Sequence, residues 1–241
     1  MNVLVWRLQH SLARAGYEPG SLDGDIGRRT RAAIRAAEGD LRLRVTGQPS
    51  GILLAALDRW AARTISGLPL LTADDVRSVA PAFPDGHHVP LRAAMVEICA
   101  TPQRTAHFLA QIAHESGGFK HVEEIASGAA YEGRKDLGNT ETGDGVRYKG
   151  RGVLQLTGRA NYRRYGELLG LDLERQPGLA ALPEVAYRVA ALYWLDRNIN
   201  TDADRDDLRA VTRAINGGTN GLSDRRRYLR RFQEILRVTV T

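Results

Sequence analysis

Two glutamates nine positions apart, Glu115 and Glu124, are the residues best equipped for chemistry. Thr101-Pro102 reads as a helix start, an N-cap hydroxyl followed by proline at the first helical position. Phe108, Leu109, Ile112 and Ala113 then predict a helix from 103 to about 116 with one inward face. Glu115 follows Ile112 by three residues and Phe108 by seven, so it projects from that apolar face. It also sits in the last turn, where the dipole's negative end disfavours another negative charge. Both surroundings favour a protonated carboxyl, as a general acid working near neutral pH requires. The plainer alternative is an ion pair with one of the chain's many arginines. Gly117-Gly118 breaks the helix before Glu124. In an unbroken helix the two glutamates would lie on opposite faces, since each residue turns ~100°. The break lets the chain fold back so that they could face each other across a groove. Two carboxylates so placed are the minimum for hydrolysing a glycosidic bond. Glu123 competes for the second role, and spacing alone does not separate it from Glu124.

The third element is the run Tyr148-Lys149-Gly150-Arg151-Gly152-Val153-Leu154-Gln155-Leu156-Thr157-Gly158-Arg159-Ala160-Asn161-Tyr162. Polar Gln155 and Thr157 alternate with Leu154 and Leu156, as on a short extended segment lining a cleft. The Thr157 hydroxyl could hold a water, and the amides of Gln155 and Asn161 suit sugar hydroxyl or acetamido groups. Taken singly, each also fits a loop capped by its own side chains. Helical patterns near 91–100, 102–116, 160–170, 184–197, 207–215 and 224–237 would position these residues. The glycine-punctuated stretch 126–152 reads as loops or a short hairpin, not as a helix. Thr72 is an N-cap before Ala73-Asp74-Asp75, so a domain spanning 72–241 follows a linker at 63–71 punctuated by Gly67 and Pro69. Residues 1–62 form a smaller unit of three helices. Their apolar faces carry Val5, Leu8, Leu12 and Ala15, then Thr30, Ala33, Ile34 and Ala37, then Leu53, Leu54, Leu57 and Trp60, with Gly16 stopping the first.

Of the 241 residues, 43% are apolar, 26% charged and 6% aromatic, an ordinary globular composition rather than a disordered one. The net charge of +6 suits approach to a polyanion without choosing among nucleic acid, anionic lipid and an acidic wall. Arginine abundance can equally follow from a GC-rich genome. The single cysteine, Cys99, lies in an apolar stretch that predicts a buried, inert thiol, and it permits neither an intrachain disulfide nor a cysteine zinc site. His114-Glu115 suggests a helical zinc motif, but the second histidine would fall at 118, which is glycine, so no metal is expected. His87-His88 read as solvated. Arg225-Arg226-Arg227 and Arg230-Arg231 form a basic helix face without a nucleic-acid motif. Such a face is either solvated or drawn to an anionic membrane or lipopolysaccharide. The first twelve residues lack the apolar core of a signal peptide, and no apolar run is long enough to span a bilayer.

The segments His114-Glu115-Ser116-Gly117-Gly118-Phe119, Glu123-Glu124, Gly150 to Tyr162 and Ile215-Asn216-Gly217-Gly218 resemble glycoside hydrolase family 19, in the branch of chitinase-like bacteriophage endolysins. The resemblance runs over roughly 72–241 and implies a mainly helical, lysozyme-like, two-lobed fold with the groove between the lobes. It implies Glu115 as general acid, Glu124 as the base that activates water, and Thr157 as the residue that positions that water. Substrate contacts are implied from Gln155, Asn161 and Asn216, with Tyr148 and Arg225 as further contacts. Plant chitinases of the family carry more loops and disulfides and a more distant second acid, so the short interval here favours peptidoglycan over chitin. The first sixty residues resemble a peptidoglycan-binding module, through Leu8-Gln9, Gly16-Tyr17, Leu22-Asp23-Gly24, Thr30, Ala33-Ile34 and Val45-Thr46-Gly47. Tyr17, Asp23 and Thr30 are its expected wall contacts. The module usually has an aromatic after its Ala-Ile pair; here Ala36-Ala37 stands there. The expectation is a monomeric, cofactor-independent muramidase or glucosaminidase that cleaves β-1,4 bonds of peptidoglycan with inversion. It would be held in the host cytoplasm until lysis and act in the periplasm; a secretion-system effector would carry the same sequence features. A chitinase, a zinc amidase or peptidase, and a non-catalytic wall-binding protein are the alternatives.

Overall fold

The computed structural model describes residues 2–15, 17–64, 71–98 and 101–238, with side chains omitted at 14 and 58–64. Gly16, Cys99 and the stretch 65–70 of the expected linker lie outside the described residues, as does the Trp60 side chain. The chain divides into two compact units, Met1–Leu68 and Pro69–Thr241. The described residues are mainly helical and contain isolated β-bridges rather than strands.

The first unit contains α1 (Val3–Arg14), α2 (Arg28–Asp40) and α3 (Gly51–Thr64). Leu8, Leu12, Ala33, Ile34, Ala37, Leu53, Leu54 and Leu57 fuse into one core, as the 3.6-residue spacing requires. The turn-rich loop between α1 and α2 is organised from inside by Gln9, which is fully buried. Its Nε2 approaches Ser21 O at 2.8 Å, Asp25 O at 2.9 Å, Asp23 Oδ1 at 3.2 Å and Thr30 Oγ1 at 3.3 Å. Its Oε1 accepts from Gly24 N at 2.8 Å. Thr30 is buried and donates to Pro19 O at 2.9 Å, so it is not a wall contact; its hydroxyl serves the loop. Asp23 is exposed, but its Oδ1 is committed to Gln9 and Asp25 N. The Tyr17 hydroxyl donates to Asp40 Oδ2 at 2.8 Å. Glu38 is buried and fastens the next loop, accepting from Thr46 N at 2.7 Å, Thr46 Oγ1 at 2.6 Å and Gly47 N at 2.8 Å. Burial alone would raise its pKa, but these donors together hold it below the ordinary glutamate range.

In the second unit Thr72 caps α4 (Ala73–Val79) through a capping box with Asp75. Then come α5 (His88–Ile98), α6 (Pro102–Glu115), α7 (Asp144–Arg147), α8 (Arg159–Leu169), α9 (Pro183–Asp196), α10 (Asn200–Asp204), α11 (Leu208–Asn216) and α12 (Leu222–Ile235). Helix α6 is the axis of the larger lobe: every residue from Thr105 to Ala113 is buried, and it packs on α10, α11 and α12. Phe108 meets Trp194 of α9 edge-on at 5.4 Å. The polar residues of α6 are paired inside this core: His107 Nε2 lies 2.7 Å from Asp206 Oδ1, and Thr105 donates to Thr101 O at 3.0 Å. His87 is not solvated as its loop suggested; it is buried with Nδ1 3.1 Å from the Tyr187 hydroxyl. His88 Nε2 lies 2.7 Å from Leu71 O.

The smaller lobe holds the glycine-punctuated stretch. It is neither pure loop nor hairpin: short helical turns form at Ala129–Tyr131, Lys135–Leu137 and α7, with bridges Glu123–Arg151 and Arg151–Leu156. Asp144, almost fully buried, ties the lobe together. It accepts from Arg159 Nε at 2.9 Å and Nη2 at 2.5 Å, and from Thr140 N and Glu141 N at 3.0 Å each. The Arg159 hydrogen bond outweighs burial and lowers the Asp144 pKa below 3.8. A depressed carboxyl contributes stability above its unfolded value and loses it as pH falls through the folded one. Asp144→Asn should therefore cost about 3 kcal/mol near pH 7. Urea titrations should show the gap between the two proteins closing only below about pH 3.8.

Candidate active site

Glu115 ends α6 and is about a quarter exposed, not buried on the apolar face as the spacing suggested. The arginine pairing is present: Glu115 Oε1 accepts from Arg225 Nη2. Arg225 is 1% exposed and also donates to Gln111 Oε1, one turn before Glu115, and through Nε to Asn220 O at 3.3 Å. It stands behind Glu115 and is not placed to touch substrate, which corrects its expected role. Asn216 is exposed at the end of α11 and binds the same loop, donating to Asn220 O at 3.2 Å and accepting from Gly218 N at 2.9 Å. The neighbouring His114 lies 2.7 Å from Asp224 Oδ2. Its ring rests on Gly221, where a Cβ would come within 2.3 Å of it, so α12 begins at a residue that only glycine can supply.

After α6 the chain reverses through three consecutive left-handed residues, Gly117 (φ 60°), Gly118 (φ 75°) and Phe119 (φ 68°). Ser116 stitches the turn, donating to Ile112 O at 2.6 Å and accepting from Phe119 N at 2.8 Å. Phe119 is buried edge-on to Phe83 at 5.0 Å, and this packing holds a conformation that non-glycine residues seldom adopt. The returning segment pairs with the Gly150 run: Gly152 N donates to Val122 O at 2.7 Å and Glu124 N to Gly150 O at 2.8 Å.

The two adjacent acids differ in company. Glu123 Oε1 lies 3.2 Å from both Lys149 Nζ and Arg151 Nε. Glu124 instead accepts from the Tyr131 hydroxyl at 3.0 Å and from Gly150 N at 3.0 Å. A Cβ on Gly150 would meet Gln155 Oε1 at 2.6 Å and Glu124 Oε2 at 3.2 Å, so these two side chains converge over a bare backbone position. Gln155 is itself left-handed (φ 53°) and donates to Gly152 O at 2.9 Å. Thr157 Oγ1 donates to Gln155 O at 2.9 Å, which leaves its lone pairs to accept a hydrogen bond from water. Asn161 Nδ2 donates to Thr157 O at 2.8 Å. Thus Glu124, Gln155, Thr157 and Asn161 share one backbone frame, while Glu115, Arg225 and Asn216 share another.

Tyr148 departs from its expected substrate role. It is 1% exposed, donates to Glu174 O at 3.1 Å and packs on Tyr162 at 5.3 Å, filling the lobe's interior. Tyr131 and Gln111 went unnoticed in the sequence. Gln111 lies four residues before Glu115 on α6, and that helical spacing was the available signal. Tyr131 offered none, because its turn sits among glycines without periodicity. Burial, then the Glu124 hydrogen bond, raise the Tyr131 pKa, so the phenol keeps the proton it donates. Tyr131→Phe should lower kcat about tenfold with KM changed less than twofold, since the loss is of carboxylate positioning. An equal rise in KM would reassign Tyr131 to substrate binding.

The basic face of α12 is smaller than its sequence suggests. Arg225 is internal, Arg227 pairs with Asp224, and Arg231 donates to the α4 carbonyls of Ser78 and Val79. Arg226 and Arg230 project to solvent.

Comparison with known proteins matches residues 4–57 to a putative peptidoglycan binding domain and residues 87–210 to the Chitinase class I family, glycoside hydrolase 19. A glycosyl hydrolase family 19 domain-containing protein of Haemophilus influenzae is 30% identical over 158 residues, covering 53% of this chain and 77% of that protein. An endochitinase of Arabidopsis thaliana is 40% identical over 115 residues, 47% of this chain, which spans 38% of that relative's length. Chitinase C of Streptomyces griseus HUT6037 shares the fold at TM-score 0.61 and 23% identity, over 70% of this chain and 93% of that one. A bacterial family 19 chitinase shares it at 0.56 and 24% identity, over 70% and 96% respectively. The match over half the chain agrees with its mainly helical fold. The chain belongs to glycoside hydrolase family 19, enzymes that hydrolyse glycosidic bonds.

Proposed function

We propose that this chain cleaves the β-1,4 bond between the amino sugars of peptidoglycan, as the lysin of a bacteriophage. The carrying observation is a family 19 unit joined to a match for a peptidoglycan-binding domain. Glu115 protonates the leaving oxygen. Glu124, held by Tyr131 and Gly150 rather than neutralised by cations as Glu123 is, takes a proton from a water on Thr157. That water attacks the opposite face, giving inversion, for which carboxyl groups ~6.5–9.5 Å apart are needed. Gln155, Asn161 and Asn216 bind the flanking sugars. The enzyme acts as a monomer, waiting in the host cytoplasm and reaching the wall at lysis.

A second reading is chitin hydrolysis, favoured by 40% identity to a plant endochitinase. One experiment separates them. Purified peptidoglycan and chitin oligomers are digested side by side, and the soluble products are identified by mass spectrometry. Muropeptides with new reducing ends support the wall reading, and the terminal sugar names the bond. Release from chitin alone overturns it, and freed peptides with intact glycan would overturn the glycosidase mechanism on the wall. Proton NMR of the first-formed anomer tests inversion.

A further inference from the structure

The residues that the motif nominates for wall contact are mostly spent on the first unit's own loops: Thr30 is buried, and Asp23 and Tyr17 hold internal hydrogen bonds. Thr30 offers nothing to a wall, and the largest exposed charge of the unit lies on another surface. Residues 1–68 carry ten arginines and no lysine against six acidic residues, so four of the chain's six net positive charges reside there. Three of these arginines, Arg28, Arg31 and Arg35, recur at helical spacing on α2 and fall within an arc of roughly 60°. Arg28 and Arg35 are exposed and Arg31 partly so. Exposed Arg42 and Arg44 extend the charge past the helix end.

The acids nearby offset it only in part. Glu38 attracts Arg35 but is turned inward onto Thr46 and Gly47, while Asp40 serves Tyr17. Glu18 lies 3.9 Å from Arg29, which points to another side of the helix. The side chains are also placed by the module itself. Arg31 Nη1 donates to Gln48 Oε1 at 3.2 Å, and Arg35 lies across Gly47, where a Cβ would come within 2.8 Å of its Nη1. Cations in the first turn of α2, with no acid there, oppose the helix dipole. The arrangement works against helix stability and so fits a role outside it.

We infer that the Arg28–Arg31–Arg35 face of α2 docks the carboxylates of the peptide stems of peptidoglycan. This rests on the wall reading above and deepens it. The glycan strand is nearly neutral, and its anionic groups are the carboxylates of its peptides, to which guanidinium forks are matched. The surface supplies charge complementarity where the module lacks the aromatic after Ala33-Ile34.

The test is cosedimentation of the full chain with sacculi freed of covalently attached anionic polymers, in the Glu115→Gln background so that the wall survives. Substituting Arg28, Arg31 and Arg35 together by Gln should weaken binding about tenfold and flatten its salt dependence. The matching Lys triple should recover much of the loss. Thermal melts and circular dichroism of the Gln triple should match the parent and certify the fold of the first unit, and hydrolysis of a short soluble chitin oligomer by the triple, made with Glu115 intact, should stay at the parent level. A soluble stem peptide should displace the parent from sacculi, and the same peptide with its carboxyl groups amidated should not. Equal binding by parent and Gln triple, or equal displacement by the two peptides, overturns the assignment. Tighter retention on lipopolysaccharide vesicles than on sacculi overturns it in favour of phosphate. If the parent itself fails to bind intact sacculi, the wall reading falls with it.

Discussion

Glu115→Gln is expected to reduce glycosidic hydrolysis by about a thousandfold, the scale of losing a general acid against a poor leaving group. The fold should survive, because the amide oxygen can still accept from Arg225 Nη2 and the side chain keeps its shape. Wall binding should be unchanged, since the peptidoglycan-binding match lies at residues 4–57. Glu115→Ala should do more harm than loss of the acid alone, because it strips a buried guanidinium of its counter-charge. Steady-state rates on soluble oligomers with thermal melts of both variants check this. Hydrolysis by Glu115→Gln within tenfold of the parent would remove Glu115 from the acid role.

Arg225→Met should cost about 3 to 5 kcal/mol of stability and also suppress most activity. The guanidinium is almost wholly enclosed and supplies donors to Gln111, Glu115 and the Asn220 carbonyl at once. Removing it leaves the Gln111 and Glu115 oxygens on α6 unmatched, leaves the Asn220 carbonyl with Asn216 Nδ2 as its donor, and frees the Glu115 carboxylate to turn. Arg225→Lys should rescue little, because one ammonium cannot span acceptors that a planar fork reaches. Denaturant unfolding measures the stability term. Turnover by the fraction still folded separates positioning from unfolding; full activity per folded molecule would make Arg225 purely structural.

The larger features were legible because they rest on local rules. Thr101-Pro102 opens α6, Thr72 caps α4, and the apolar spacing of the first unit yields its core. What stayed hidden depends on partners distant in sequence. Arg225 looked like one of five basic residues on a solvated face, yet its partner lies 110 residues earlier. Tyr148 sits in a motif of cleft-lining residues but turns inward, because the loop bearing Glu174 closes over it. Glu123 and Glu124 became distinguishable only when Lys149, Arg151, Gly150 and Tyr131 were placed around them. The short turns at 129–131 and 144–147 escaped because glycines hide helical periodicity.

The two acids also acquire their surroundings at different moments of synthesis. Glu124 meets Gly150 only 26 residues downstream, whereas Glu115 waits 110 residues for Arg225. A chain emerging from the ribosome can assemble the first half of its site while the second half is still untranslated. Until α12 arrives, the nascent chain exposes the apolar flank of α6 that α12 covers in the finished protein. Completion of the Glu115 surroundings is thus coupled to late translation, and chains interrupted before Arg225 are expected to be inert however well their smaller lobe has folded.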